Sequence, residues 1–273
     1  MELVLRGALK TLWVDTDVFT LVQQLPGDVI RDKEGRQTLK FSYAGKNYYR
    51  KLHRGIGWRE IAKNFSQLKM PVLGARNEWR AINRVRELGL DTLNAVAYGR
   101  KGSNPASQLS FLVTEELSDT LSLAVYAARW PEQPPSLREK RALIRKVAEI
   151  TRTIHGAGIN HRDLYICHFL LDQSTQAERS TMPPRLFLVD LHRAQIRDAV
   201  PVRWLVKDLA SIYFSSLDIG LTRGDVLRFL QVYFDEPLHT TLYSRQGLLH
   251  KITRRAIKLY RRDFGRSPGL PGQ

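Results

Sequence analysis

The sequence contains a single cysteine, Cys167, and lacks the marks of a secreted or membrane-spanning protein. One cysteine excludes an intramolecular disulfide and suits a reducing compartment. No apolar run approaches the roughly 20 residues that a membrane-spanning helix needs. The opening segment, Met1-Glu-Leu-Val-Leu-Arg6, has an early acid and no continuous apolar stretch, so we expect no signal peptide. We therefore predict a cytosolic protein.

Acidic residues are scarce relative to basic ones. The 273 residues include 43 Lys and Arg but only 27 Asp and Glu, which gives a formal net charge of +16. Such a charge attracts anions, whether nucleic acid, anionic lipid, a phosphorylated glycan or an acidic protein. No nucleic-acid motif with interleaved aromatic residues is found, so we expect no nucleic-acid partner. Apolar residues make up 43% of the chain, enough for the core of one two-lobed unit or two small domains.

A glycine-rich phosphate-binding loop is also missing from the first part of the chain. Within residues 1–25, the apolar spacing of Val18, Phe19, Val22 and Leu25 predicts a short leading helix that stops at Pro26-Gly27. The alternation over 37–43 predicts a strand, and the next predicted strand, 48–52, carries Lys51. The turn before these strands contains one glycine, Gly35, and is by itself weak evidence for nucleotide binding.

A helix is predicted over 75–88, with Glu78 on the same face as Ile82 and Val85. A carboxylate on the inward face needs a partner, because burying it alone costs several kcal/mol. Lys51 is the candidate partner. The alternative is that Glu78 lies at the edge of the apolar face and reaches water.

An irregular, basic insertion over 54–74 separates the strands from this helix, and we predict a helical stretch within it as far as Lys69. Arg54 and Trp58 suggest an element that stacks on a sugar or contacts a membrane surface. A tryptophan packed beneath a solvated basic loop explains the same pattern equally well.

The composition changes at Glu115-Glu-Leu117. Strands dominate before this point and helices dominate after it. We therefore predict an α+β fold with a mainly antiparallel-sheet N-terminal lobe over 1–116 and a mainly helical C-terminal lobe over 117–264. Residues 265–273 hold two prolines and three glycines and predict a disordered tail.

The second part of the chain predicts helices over 120–130, 136–155, 205–216 and 238–262. The last of these carries six basic residues: Lys251, Arg254, Arg255, Lys258, Arg261 and Arg262. A solvated basic face explains this run, and a lipid or phosphate contact is the alternative.

The tripeptide His161-Arg-Asp163 follows the long helix and precedes an apolar run. A loop that holds Asp beside His and Arg and then enters the core suits chemistry, but a solvated turn before a strand has the same pattern. Further on, Leu186-Phe-Leu-Val189 predicts a buried strand, and Asp190 at its end needs a cation.

In chain order, these features resemble the protein-kinase fold, in which two lobes bind ATP. For the first lobe, the resemblance implies that Lys51 binds the α- and β-phosphates of ATP and that Glu78 holds this lysine. It places Glu115 and Leu117 in the nucleotide site at the change of lobe.

For the second lobe, the resemblance implies that Asp163 is the catalytic base and that Asp190 binds Mg²⁺. His161 and Arg162 would support the catalytic loop. A second metal-binding residue is expected five positions after Asp163, where this chain has His168. A neutral imidazole is a poor ligand for Mg²⁺, so His168 is a doubtful metal ligand.

Other departures argue against an ordinary Ser/Thr/Tyr protein kinase. The Asp-Phe-Gly motif is replaced by Asp190-Leu-His192, and no Ala-Pro-Glu motif follows.

Longer strings resemble the lipopolysaccharide core heptose(I) kinases of Gram-negative bacteria. They are Lys51-Leu-His-Arg-Gly-Ile-Gly-Trp58, Pro71-Val-Leu-Gly-Ala-Arg76, Asn160-His-Arg-Asp-Leu-Tyr-Ile-Cys-His-Phe-Leu-Leu171, Val189-Asp-Leu-His-Arg-Ala194 and Lys207-Asp-Leu-Ala-Ser-Ile-Tyr-Phe-Ser-Ser-Leu-Asp-Ile-Gly-Leu221. This resemblance implies ATP-dependent phosphorylation of the first heptose of the inner core, at the cytoplasmic face of the inner membrane. It also implies acyl carrier protein as an acidic partner, and it includes His168 in the family pattern. Candidate contacts to the anionic acceptor are Arg54, Trp58 and Arg193.

Two alternatives remain from the residues alone. One is a related kinase with another acceptor, such as Kdo, an aminoglycoside or a protein tyrosine. The other is a kinase-like scaffold that binds an acidic partner without turnover. The presence of Lys51, Asp163 and Asp190 argues against the scaffold.

Overall fold

A computed structural model describes residues 1–33, 35–55, 57–58, 74–104, 106–174 and 183–271. The chain forms two compact units. Unit 1 comprises Met1–Arg84, Leu93–Ser118 and Leu191–Arg193, and unit 2 comprises Val85–Thr92, Asp119–Asp190 and Ala194–Gln273.

Unit 1 is built on an antiparallel sheet. Its strands are β1 (Glu2–Leu5), β2 (Asp28–Lys33), β3 (Arg36–Tyr43), β4 (Lys46–His53), β5 (Ala95–Lys101) and β6 (Leu109–Glu115). They are arranged in the order β1-β5-β6-β4-β3-β2, with every neighbouring pair antiparallel. This order makes β4 an interior strand, so the strand that carries Lys51 is hydrogen-bonded on both sides.

One face of this sheet is covered by the N-terminal segment. The predicted leading helix is confirmed as helix α2 (Val18–Gln24), and the segment before it is divided into β1 and a further helix, α1 (Gly7–Leu12). The division has a local cause, because the Asp17 carboxylate caps α2 by accepting from the backbone N–H groups of Phe19 and Thr20. Trp13, between the helices, is fully buried in the core of this face.

Helix α3 (Arg76–Glu87) confirms the helix predicted over 75–88. Ile82 and Val85 are fully buried, as their spacing predicts, and Glu78 is buried with them. The inward position predicted for Glu78 is therefore confirmed.

Unit 2 is mainly helical. Its helices are α4 (Leu123–Ala127), α5 (Leu137–Gly156), α6 (Val202–Ser215), α7 (Arg223–Phe234), α8 (Leu238–Ser244) and α9 (Gln246–Phe264). The helix predicted over 120–130 is wrong at its start, since Thr120–Ser122 forms a strand. The helix predicted over 238–262 is two helices that meet at Arg245, whose guanidinium donates to the Glu236 carboxylate. With an antiparallel sheet in unit 1 and helices in unit 2, the predicted α+β class is confirmed.

Short strands in unit 2 hold the segments that carry the predicted catalytic residues. They are β7 (Thr120–Ser122), β8 (Ile159–Asn160), β9 (Phe169–Asp172), β10 (Leu186–Leu188) and β11 (Gln195–Ile196). Strand β8 pairs with β11, and β9 pairs with both β7 and β10. The loop of residues 161–168, which we call the catalytic loop, is thereby fixed at both ends.

Gly158, just before the catalytic loop, has a backbone conformation that favours glycine. Its φ is +75°, and a Cβ added there would overlap the carbonyl oxygen of Arg197. We expect Gly158→Ala to lower the free energy of unfolding by on the order of 3 kcal/mol, because it combines a left-handed backbone with a steric overlap. Gly156→Ala is the matched control: no atom lies within 4 Å of its added Cβ. It should stabilise the helix by up to about 1 kcal/mol. Equal effects in urea unfolding would contradict this account.

Within the described residues, no helix combines the length and the apolar character that crossing a membrane requires.

Candidate functional site

The first candidate group is an ion pair inside unit 1. Lys51 Nζ on β4 donates a hydrogen bond to Glu78 Oε1 on α3. The Glu78 side chain is only 2% exposed and that of Lys51 14%. Glu78 Oε2 has no hydrogen-bond partner, but the Arg36 guanidinium lies 3.9 Å from it. Two cations therefore surround one buried carboxylate.

The charges around Glu78 determine its ionisation. Burial disfavours the carboxylate, but the positive charges of Lys51 and Arg36 outweigh burial, and the pKa of Glu78 lies below its ordinary value. Burial, together with the charge of Arg36, lowers the pKa of the neighbouring His53 to about 3. At neutral pH Glu78 is therefore ionised and His53 is neutral.

The second candidate group lies in the catalytic loop of unit 2. Asp163 Oδ1 is 3.5 Å from the ammonium of Lys207 on α6, and both side chains are about four-fifths buried (18% and 19% exposed). The carbonyl of Asp163 accepts a hydrogen bond of 2.7 Å from Nδ1 of His168. The backbone and the side chain of Asp163 are thus held by different residues.

A buried carboxylate fixes the start of this loop. Asp208, fully buried on α6, accepts hydrogen bonds from the backbone N–H groups of His161 (2.7 Å) and Arg162 (2.8 Å). Arg162 has a φ of +76°, a conformation that costs energy unless its surroundings hold it. Ser215, also on α6, accepts from the N–H of Ile166 at 3.0 Å. Helix α6 therefore holds the loop on both sides of Asp163.

His161 supports the loop from within the core. It is fully buried, and its Nε2 donates to the carbonyl of Val189 at 2.9 Å. Burial lowers the pKa of His161, so the ring is neutral at neutral pH. Its ring stacks on that of His168, with centroids 5.6 Å apart. His161 therefore links the catalytic loop to the residue that precedes Asp190.

His168 also approaches Asp190, with 3.4 Å between Nε2 and Oδ2. Burial disfavours the charged ring, but its contacts with Cys167, the carbonyl of Asp163 and the Asp190 carboxylate prevail and raise the pKa of His168 to about 9. The ring therefore carries a positive charge at neutral pH. A protonated imidazole has no lone pair for a metal, so this protonation state makes His168 a charged neighbour of Asp190.

Comparison with known proteins identifies the family. Residues 21–233 match the model of the lipopolysaccharide kinase (Kdo/WaaP) family. The chain belongs to this family. The chain is 54% identical to the lipopolysaccharide core heptose(I) kinase WaaP of Pseudomonas aeruginosa, over 96% of this chain and 97% of that protein. It is 46% identical to the enzyme of the same name from Escherichia coli K12, over 94% and 97%.

A solved structure entitled "WaaP in complex with acyl carrier protein" is similar to the whole fold. The TM-score is 0.83 at 48% sequence identity, with 95% of this chain and 100% of that chain covered. The family predicted from the sequence strings is thus confirmed, as is the protein-kinase-like fold that it implies.

For this Kdo/WaaP family member, the remaining nucleotide-binding candidates lie at the end of β6. The Glu115 carboxylate accepts from Asn94 Nδ2 at 2.5 Å, and Lys46 Nζ lies 3.8 Å away. Leu117 is half-buried two residues later. Both residues stay predictions as nucleotide contacts.

The three acceptor candidates are all in unit 1. Trp58 is 62% exposed, which argues against the alternative of a packed tryptophan. Arg54 is also exposed, and Arg193 is half-buried in a short 3₁₀ turn. The helical stretch predicted up to Lys69 lies outside the described residues.

Three residues of the site were missed by sequence reasoning: Arg36, Lys207 and Asp208. For Asp208 a signal existed, since a carboxylate inside a mainly apolar predicted helix needs buried partners, as Glu78 does. No comparable signal existed for Arg36 or Lys207, because 43 Lys and Arg residues offer many candidate cations.

Proposed function

We propose that this protein transfers the γ-phosphoryl group of ATP to the first heptose of the lipopolysaccharide inner core, with Asp163 as the catalytic base. The observation that carries the proposal is the match of nearly the whole chain to curated heptose(I) kinases. The chain is accordingly a phosphotransferase that acts on an alcohol group. The two charged groups described above supply the residues for this chemistry.

Lys51 binds the phosphates of ATP in this proposal. Its ammonium is fixed by Glu78 and by hydrogen bonds of β4 to strands on both sides. A cation held in place before the substrate arrives stabilises phosphate charge without a reorganisation cost. Arg36 keeps Glu78 ionised when Lys51 turns towards the nucleotide.

Asp163 receives the proton of the acceptor hydroxyl. The hydroxyl oxygen forms a bond to the γ-phosphorus, the bond from that phosphorus to the β,γ-bridging oxygen breaks, and ADP leaves. A base must lie about 2.6–3.2 Å from the oxygen whose proton it accepts. The attachment of the catalytic loop to Asp208 and Ser215 holds Asp163 for this geometry.

Asp190 is the proposed protein ligand for Mg²⁺. Mg²⁺ in kinases is bound by one or two carboxylates together with phosphate oxygens and water, and it neutralises phosphate charge. The Asp190 carboxylate is about one-third exposed and fits this pattern. In the part of the chain that the structure describes, no group of three or more His, Cys, Asp or Glu residues is placed to hold a metal. His168 holds Asp190 in position rather than contributing a ligand.

Arg54, Trp58 and Arg193 are proposed to contact the acceptor. The inner core is an anionic glycolipid. Exposed Trp58 offers an apolar surface for a sugar ring, and exposed Arg54, four positions earlier in the chain, offers a positive charge.

The test of the proposed function is the product of an incubation with Mg-ATP and purified core oligosaccharide. We expect phosphate on the first heptose, located by mass spectrometry and NMR. A panel with Kdo, an aminoglycoside and a tyrosine peptide tests the alternative acceptors. Faster transfer to one of these would overturn the heptose assignment, and no transfer to any acceptor would favour a scaffold.

We also propose acyl carrier protein as a partner. The solved relative was captured in complex with that protein, and the net charge of +16 suits an acidic partner. Affinity measured by calorimetry should fall as salt rises. Absence of binding at low salt would contradict the proposal.

We also propose that the protein acts at the cytoplasmic face of the inner membrane, where its basic surface would meet the glycolipid acceptor. Such an enzyme would contribute to outer-membrane biogenesis. We expect flotation with vesicles that contain anionic lipid and none with neutral vesicles. Equal flotation with both would exclude an electrostatic contact.

A further inference from the structure

Lys207 lies beside the proposed base, and the proposed function gives it no role. Its Nζ lies 3.5 Å from Asp163 Oδ1. This distance is longer than the 2.7–3.2 Å typical of a direct N–H···O hydrogen bond, although the two charges still attract each other. Lys207 is therefore ion-paired with the base at a distance longer than that of a direct hydrogen bond.

The position of Lys207 is rigid. The next residue, Asp208, is bonded to two backbone N–H groups of the catalytic loop, at 2.7 and 2.8 Å. On the preceding turn of α6, the ring of Trp204 lies 5.7 Å from the Lys207 ammonium and 4.9 Å from the guanidinium of Arg162. The ammonium is thus held relative to Asp163 by the backbone of α6 and by an aromatic ring.

The geometry of phosphoryl transfer places reacting atoms close to this ammonium. The acceptor oxygen lies about 2.6–3.2 Å from Asp163 when its proton is transferred, and the phosphorus under attack lies next to that oxygen. A cation 3.5 Å from Asp163 Oδ1 is therefore within a few ångströms of the oxygens of the moving phosphoryl group. Negative charge on those oxygens must be stabilised in the transition state.

The other positive charges proposed to act on the phosphates are those of Lys51 and of the Mg²⁺ that Asp190 would hold. Asp190 is the proposed metal ligand, and His168 occupies the position at which a second metal-binding residue was expected. A fixed cation beside the base would supply positive charge of the kind that a second metal ion supplies in protein kinases.

We propose that Lys207 is a further catalytic residue, whose ammonium contacts the oxygens of the γ-phosphoryl group as it moves from ADP to the acceptor hydroxyl. Lys207 keeps its proton throughout, and the hydroxyl proton goes to Asp163. The inference rests on the proposed kinase function and adds a residue to it.

The test compares three variants. Lys207→Met keeps the length and apolar stem of the side chain but removes the charge, and we expect kcat to fall by about 10²–10³-fold. The KM for ATP should change by less than about threefold, because the contact forms in the transition state. Lys207→Arg should recover part of the rate. Arg203→Met is the matched control: Arg203 is exposed and lies 5.4 Å from the same Trp204 ring, and its loss should leave kcat unchanged.

Replacing one γ-phosphate oxygen of ATP with sulfur, as in ATPγS, distinguishes a catalytic role of Lys207 from a structural one. Sulfur accepts hydrogen bonds weakly, so the ratio of rates with ATP and ATPγS should be smaller for Lys207→Met than for wild type. Wild-type kcat in Lys207→Met, or an unchanged ratio together with a lowered melting temperature, would overturn the proposal. Failure of the wild-type protein to phosphorylate heptose would count against the proposed function, and the Lys207 comparison would then use whichever acceptor the panel identifies.

Discussion

Asp163→Asn should lower kcat for phosphate transfer by about 10²–10⁴-fold, the range expected when a general base is removed. The amide has nearly the shape of the carboxylate, but it cannot accept the hydroxyl proton. The backbone attachments of the loop do not involve this side chain, since Asp208 holds the N–H groups of His161 and Arg162. The variant should therefore fold and bind ATP as wild type does, while phosphorylated core fails to accumulate.

The controls for this prediction are a second aspartate and a binding measurement. Asp198 is exposed, and Asp198→Asn should transfer phosphate at the wild-type rate. Calorimetric titration with ATP and a thermal melt should give wild-type values for Asp163→Asn. A rate within about threefold of wild type would show that another group accepts the proton, because general-base loss has larger effects. Loss of both ATP binding and stability would mean instead that Asp163 holds the loop together.

Local pattern was sufficient to predict part of the site. Glu78 shares the face of α3 with Ile82 and Val85, and helical spacing alone placed it in the core. A buried carboxylate requires a cation, and Lys51 was the candidate on the neighbouring strand. The structure contains this pair. Its role in nucleotide binding remains a prediction, because geometry alone does not report what the lysine binds.

Contacts between residues distant in sequence were beyond such reasoning. Asp208 and Asp163 are 45 positions apart, and nothing in their spacing shows that α6 accepts the N–H groups of the catalytic loop. The charge of His168 is another example, since it depends not only on the adjacent Cys167 but also on the Asp163 carbonyl and the Asp190 carboxylate, which the fold brings to the ring. The sequence predicted that His168 is a doubtful metal ligand. The positive charge of its ring gives a second physical reason, which sequence spacing alone could not show.

Lys51→Met should be the most destabilising of the substitutions at the charged sites. Removing one partner of a buried ion pair leaves an uncompensated charge and costs about 3–5 kcal/mol. Arg36, at 3.9 Å from Glu78, compensates only in part. Urea unfolding should therefore show a loss near the lower end of that range. Phosphate transfer should fall by about 10²-fold or more, because a preorganised cation is lost.

The dependence of stability on pH distinguishes this mechanism from a simple packing defect. In the wild-type protein the pKa of Glu78 is lowered, so its contribution to stability is present above the ordinary value of 4.5 and is lost as pH falls through the lower, folded-state pKa. In Lys51→Met, burial dominates and should raise the pKa of Glu78 above 4.5. The variant should then gain stability as pH falls from neutrality towards 4.5, and wild type should not. Lys51→Met combined with Glu78→Leu should recover most of the free energy of unfolding without recovering transfer, since both members of the buried pair are then removed. If the double variant is no more stable than the single one, the ion pair is not the source of the loss.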